Sequence, residues 1–134
     1  MEGDTLMNIA ILDSENIRNL TINMLSGVDR LIVMTQPGQV QIKLTLPCQT
    51  RVMGIQYVET VGGGKDNMDW HIVTIIGNYI RNSKIKSIRI LSNDLGYTNV
   101  ISFWKRKGAE IEQLSNLPRK NNKVLQSVKI VKTA

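Results

Sequence analysis

Short apolar runs alternate with helical stripes along this chain, and that alternation limits its fold more than any other feature. Asn8–Leu12 is a short apolar run that closes on Asp13, Leu31–Met34 is a second, and Val52–Glu59 reads as a third strand before the glycines at 62–64. Strands that are apolar throughout are buried on both faces, the pattern of a parallel sheet. Ile85–Leu91 reads as a fourth strand in which Ser87 is out of step, and Ala109–Leu114 supplies a fifth. Between these runs, Glu15–Leu25 puts apolar residues at 17, 20, 24 and 25. That spacing predicts a helix capped by Ser14 or Asp13 and ended by Gly27. Asp66–Ile80 aligns Met68, Ile72, Ile75, Ile76 and Tyr79 on one stripe, and Gly96–Lys107 reads as a third helix stopped by Gly108. After the Pro37-Gly38 turn, Val40–Leu46 alternates apolar and polar residues, so a strand by period and a crossover helix by topology both stay open. Repeated strand–helix units predict an α/β fold with a mostly parallel sheet of about five strands, covered by helices on both faces.

Three acidic clusters fall where these strands give way to helix or loop. They are Asp13 with Glu15, Asp66 with Asp69, and Asp94, five of only 11 acidic residues. A parallel sheet gathers its carboxyl ends along one edge, the usual place for a site. Carboxylates crowded there repel one another unless a cation such as Mg²⁺ or Mn²⁺ lies among them. Each acid also has a plain structural use: Asp13 as a helix cap, Asp66 or Asp69 as partners of a helix dipole, Asp94 as a turn residue before Gly96. Asp69 is flanked by Met68 and Trp70 where the apolar stripe begins, so its charge needs a partner. The amide of Asn16 is placed to orient Asp13 or Glu15, and Ser92 and Asn93 to hold the Asp94 oxygens.

The net charge of +6 is unevenly spread. Residues 1–104 carry nine Lys or Arg against nine Asp or Glu, while 105–134 carry eight against two. The basic excess suits a polyanionic partner, with a solvated tail as the plain alternative. No apolar run approaches the roughly 20 residues that span a bilayer, which predicts no membrane partner. Cys48 has no second cysteine to pair with, pointing to a reducing cytoplasm. Residues 1–7 read as an N-terminal extension, 8–117 as one domain and 118–134 as a basic C-terminal tail in which Val124–Val131 forms a further strand or short helix.

Other chemistry finds little support. The three glycines are not followed by the Gly-Lys-Ser/Thr of a phosphate loop. Cys48 has no neighbouring histidine, and His71, the one histidine, lies within the long helix stripe. Trp70 and Trp104 suit the core better than base stacking.

The ordered motifs Asp13-Ser14-Glu15-Asn16, Lys65-Asp66-Asn67-Met68-Asp69 and Ser92-Asn93-Asp94-Leu95-Gly96-Tyr97 resemble the PIN-like nuclease superfamily, and within it an NYN-related group, over about residues 8–114. The resemblance implies a Rossmann-like three-layer α/β/α sandwich that binds Mg²⁺ or Mn²⁺ and hydrolyses RNA or DNA, RNA being the first expectation. It implies Asp13, Asp69 and Asp94 as metal ligands, Asp66 as an added one, and Glu15 as a further ligand or water-positioning group. Phosphates would be held by Lys65, Lys105, Arg106, Lys107, Arg119 and Lys120. Two residues depart from the group: Asp66 stands where Asn is usual, and Thr98 where many relatives carry a fourth acid. A non-catalytic nucleic-acid or partner-binding module on the same fold is the chief rival, a phosphatase or phosphotransferase ranks lower, and the assembly, monomer or homodimer, is left open.

Overall fold

The computed structural model describes residues 5–48, 52 and 54–116. Arg119, Lys120 and the segment 124–131 lie outside them. Five strands form one sheet: β1 (Met7–Asp13), β2 (Arg30–Thr35), β3 (Gly54–Glu59), β4 (Ile85–Leu91) and β5 (Ile111–Leu114). Every pairing between them is parallel, in the order β3-β2-β1-β4-β5. Three helices accompany the sheet: α1 (Ile22–Leu25), α2 (Asn67–Ile80) and α3 (Thr98–Arg106). The expected three-layer α/β/α arrangement is what forms.

Strand β1 explains the first apolar run. From Ile9 to Leu12 its side chains alternate between two cores, so each of these four must be apolar. Ile9 and Ile11 join Ile32, Ile88, Ile90, Met68, Ile72 and Ile76 beneath α2 and α3. Ala10 and Leu12 join Leu31, Val33, Ile17, Leu20, Met24 and Leu25 on the opposite face. Ser87 is out of step because β4 carries a bulge. Met7 pairs with Ile85, yet its neighbour Asn8 pairs with Ser87, so Lys86 is the extra residue. Beyond it, Ile88 and Ile90 fall back into phase with the α2 side.

The predicted helix over 15–25 is mostly absent. Only its last turn, Ile22–Leu25, is helical, capped by the Thr21 hydroxyl, which accepts from the Met24 amide at 3.4 Å. Ahead of it the backbone amides find other partners. The Leu20 amide donates to the Thr45 carbonyl and the Thr45 amide to the Arg18 carbonyl, both at 2.8 Å. This pairing also resolves Val40–Leu46, which is neither strand nor helix. It is irregular chain pinned to 18–20 by an isolated bridge, with Ile42 and Leu44 half-buried against the second core. Arg89 locks the same layer to the sheet. One of its terminal nitrogens donates to the carbonyls of Met24 and Ser26 at 2.9 Å, and its Nε to Glu112 at 2.9 Å.

The order of strands reverses at β1. The chain leaves β1 toward β2 and β3 on one side, then α2 carries it back over the sheet to β4 on the other. A crevice opens at the carboxyl ends where such a reversal occurs. Here that point lies between β1 and β4, at Asp13 and Ser92.

Candidate active site

Asp13 ends β1 with its side chain fully buried. One carboxylate oxygen, Oδ2, accepts from Ser92 Oγ at 3.0 Å, Asn16 Nδ2 at 3.1 Å and the Tyr97 hydroxyl at 3.4 Å. The other, Oδ1, is buried and has no hydrogen-bond partner among the described residues. Burial raises the carboxyl's pKa, and Ser92, the Glu15 amide (close by but outside hydrogen-bonding geometry), Asn16 and Tyr97 pull it back. The amide of Asn16 therefore orients Asp13. The helix-cap use of Asp13 survives only as a turn, in which its carbonyl accepts from the Asn16 and Ile17 amides at 3.0 Å.

Asp69 lies in the first turn of α2, one residue past the buried Met68. Its Oδ1 accepts from the Tyr97 hydroxyl at 3.1 Å. Burial, above all, and a hydrogen bond shared with Asp94 push its pKa up to about 6, the bond from Tyr97 opposes this, and the charges of Asp13 and Asp94 add to the rise. Asp94 follows β4 and caps the 3₁₀ turn Leu95–Tyr97, its Oδ1 accepting from the Gly96 amide at 2.8 Å. The structure thus brings Asp13, Asp69 and Asp94, drawn from three successive strand-to-helix junctions, into one electrostatic group. Asn93 turns away to Asn116, and Ser92 serves Asp13 rather than the Asp94 oxygens, accepting from the Asp94 amide at 3.1 Å.

Tyr97 is the residue that sequence reasoning passed over. Its ring is buried, and its hydroxyl reaches both Asp13 and Asp69. Burial first, and then the charges of Asp13 and Asp69, drive its pKa upward, so it stays a proton donor. Its place at the end of the third motif was visible, but its direction depends on the 3₁₀ turn.

The remaining candidates are placed less centrally. Glu15 and Lys65 are exposed near the acids in sequence, and Asp66 is exposed at the head of α2. Asp66 has φ 64°, in left-handed backbone, and its side chain makes no cap bond. Asn and Asp tolerate that conformation best among non-glycine residues, so an aspartate fits this position. Thr98 begins α3, its hydroxyl donating to the Leu95 carbonyl at 2.9 Å. Lys105, Arg106 and Lys107 stand at the far end of α3, and the chain passes from there through Gly108 into the start of β5. They therefore lie at the amino edge of the sheet, opposite the acids. Trp104 packs partly buried on the core, whereas Trp70, beside Asp69, is 68% exposed. His71 secures the glycine loop: its Nδ1 bonds the Asn67 carbonyl at 2.8 Å and its Nε2 accepts from the Val61 amide at 3.0 Å.

Among the described residues, no three His, Cys, Asp or Glu side chains stand together as a ready metal cage. No helix among them is long and apolar enough to cross a membrane. No curated protein and no solved structure matches the chain. The family described as the PIN domain, whose members are in general metal-dependent nucleases acting on nucleic acids, matches residues 7–114. That match takes in all five strands and all three acids, and the chain belongs to the PIN domain family.

Proposed function

We propose that this chain is a metal-dependent nuclease that hydrolyses phosphodiester bonds, with RNA as the preferred polymer. The observation that carries the reading is Asp13 Oδ1, a buried carboxylate oxygen without a partner among the described residues, in a group of three acids. An unpaired buried charge costs several kcal/mol unless a cation meets it. The donor set is all oxygen, which fits Mg²⁺ or Mn²⁺, and such ions keep several waters and need few protein ligands. Asp13, Asp69 and Asp94 would hold the ion, with Asp66 an outer contributor. When bound, it supplies a Lewis acid and a water of lowered pKa.

The protein's own part is positioning. Ser92, Asn16 and Tyr97 engage Asp13 through Oδ2 and so leave Oδ1 free. Tyr97 also fixes Asp69 through Oδ1. Glu15, exposed two residues beyond Asp13, orients water or adds an oxygen ligand. Lys65, exposed just ahead of α2, holds phosphate. Thr98 brings no negative charge, so the acid count rests on Asp13, Asp69, Asp94 and Glu15, with Asp66 at the margin. Placement in the NYN-related group rests on the three motifs, and a cytoplasmic setting suits the exposed, unpaired Cys48.

The test is cleavage of labelled RNA with Mn²⁺ or Mg²⁺ by the wild type, Asp13→Asn and Asp94→Asn. The wild type should cut, and each variant should lose more than the ~10–100-fold that removing an outer partner of a metal ligand costs. Salt-sensitive binding with no cleavage by any of the three would make the chain a non-catalytic binding module.

A further inference from the structure

The two edges of the sheet carry opposite charge. Asp13, Glu15, Glu59, Asp66, Asp69 and Asp94 lie at its carboxyl edge. Cations gather at the amino edge, brought there by the elements that begin or end on that side. Arg30 heads β2, Lys84 and Lys86 lie at the start of β4, Arg81 caps the end of α2, and Lys105–Lys107 close α3. Burial raises the Tyr79 pKa and the charge of Arg30 opposes it, which places Arg30 beside the last turn of α2.

These cations are exposed and little engaged. The Lys107 ammonium stands 5.0 Å over the Phe103 ring, and none of the others makes an ion pair with a described residue. Of the acids on this side, Asp29 accepts from the Asn8 amide at 2.8 Å and Glu112 is taken by Arg89, which leaves Glu110. Cations in a last turn suit the helix dipole, and that accounts for Lys105 and Arg106. It does not account for Arg30, Lys84 and Lys86, which stand on strands or their approach. Between β4 and the end of α3 the surface dips in two places, of about 610 and 360 Å³, that share Ser87, Ile88 and Gly108–Glu110. Lys105 lines one, and Lys86 and Lys107 line the other. A protein partner binds through apolar anchors, yet Phe103, the exposed ring among these cations, is already under the Lys107 ammonium. A phosphate backbone needs only spaced cations.

We infer that the amino edge is a second contact surface for the nucleic acid chain, a sequence-independent anchor for its backbone phosphates that is remote from the acids. The inference rests on the nuclease reading for the identity of the polymer. The seven residues of β4 rise ~23 Å from one edge to the other, so a chain seated at the acids reaches the anchor only if it can run the height of the sheet. Holding at both edges favours long chains over short ones through effective concentration, with no added contact at the acids.

The experiment uses the full chain in EDTA, where the acid edge repels phosphate, and follows a labelled ~20-nucleotide RNA strand by fluorescence anisotropy across a salt series. Lys86→Gln with Lys105→Gln should make the log–log salt slope shallower by about 1.4, at about 0.7 for each phosphate contact. Arg18→Gln with Lys43→Gln removes the same charge near Thr35 and Glu59 at the carboxyl edge, and should leave the slope unchanged. All of these positions are exposed, and unchanged far-ultraviolet circular dichroism confirms that the variants fold. The inference is overturned if the amino-edge pair keeps the wild-type slope or if the control pair flattens it equally. It is also overturned if polyglutamate displaces the strand as well as unlabelled RNA does, or if the wild type does not bind. Cleavage with Mn²⁺, measured separately on ~20- and ~4-nucleotide strands, tells the two readings apart. The amino-edge pair should slow cleavage of the long strand alone. Cutting that ignores the pair at both lengths leaves the nuclease and removes the anchor, whereas binding that depends on the pair without cutting leaves the anchor and removes the nuclease.

Discussion

Replacing Asp69 by Asn should make the metal-free protein more stable at alkaline pH while weakening its response to metal. Asp69 is half-buried between Asp13, Asp94 and Tyr97, and its pKa rises from 3.8 to about 6. At about 1.36 kcal/mol per unit, the whole displacement is worth about 3 kcal/mol, which partial exposure to solvent reduces to about 1–2 kcal/mol. An acid whose pKa is higher in the folded state binds its proton more firmly there. Its contribution to stability is therefore full below about 3.8 and lost as pH rises through about 6. Asn is isosteric, keeps an acceptor for the Tyr97 hydroxyl, and carries no charge to lose. In EDTA at about pH 8, Asp69→Asn should melt above the wild type by about 3–8 °C, and the gap should close toward about pH 4. Mn²⁺ should reverse the order, because the wild type gains a ligand-bound state that the variant holds weakly. Thermal unfolding by circular dichroism at both pH values, with and without metal, reads all of this. A variant that melts at or below the wild type in EDTA at pH 8 would refute the picture of crowded, unpaired carboxylates.

Three further outcomes follow from the same geometry. Tyr97→Phe keeps the buried ring but removes the hydroxyl shared by Asp13 and Asp69, so Mn²⁺ affinity measured by calorimetry should fall about 10-fold or more, and equal affinity would deny it a positioning role. Arg89→Ala removes the bonds to the carbonyls of Met24 and Ser26 and to Glu112, and denaturant unfolding should show a loss of about 1.5–3 kcal/mol with Mn²⁺ affinity unchanged. His71→Ala releases the Val61 amide, whose hydrogen exchange should quicken about five-fold, matching a net hydrogen bond of about 1 kcal/mol.

The parallel sheet was legible because β1 and β2 are clothed on both faces, and two cores demand apolar runs, whereas β4 showed itself by alternation. The three acids were legible for a related reason: once strand ends are known, the residues just beyond them share an edge. The failed helix over 15–25 shows the limit of periodicity. Ile17, Leu20, Met24 and Leu25 are all buried as a helical stripe requires, yet the Leu20 amide bonds Thr45, distant in sequence. Spacing reports which side chains go inside and is silent on where backbone amides find partners. The role of Tyr97 was hidden because it depends on a 3₁₀ turn that aims one hydroxyl at two elements. The position of Lys105–Lys107 could have been deduced. A helix that leaves the carboxyl edge of a parallel sheet must finish at the amino edge, whatever charge it carries.

The pairing of β1 with β4 also orders events in time. Ribosomes deliver the chain from its N-terminus, and β1 can pair with β2 once residue 35 has emerged. The groups that hold Asp13 arrive much later, for Ser92 is 79 positions further along and Tyr97 is 84. Until β4 docks, Asp13 lacks the Ser92 and Tyr97 hydroxyls and the neighbouring Asp94. A growing chain, or one truncated ahead of β4, therefore lacks the three-acid centre.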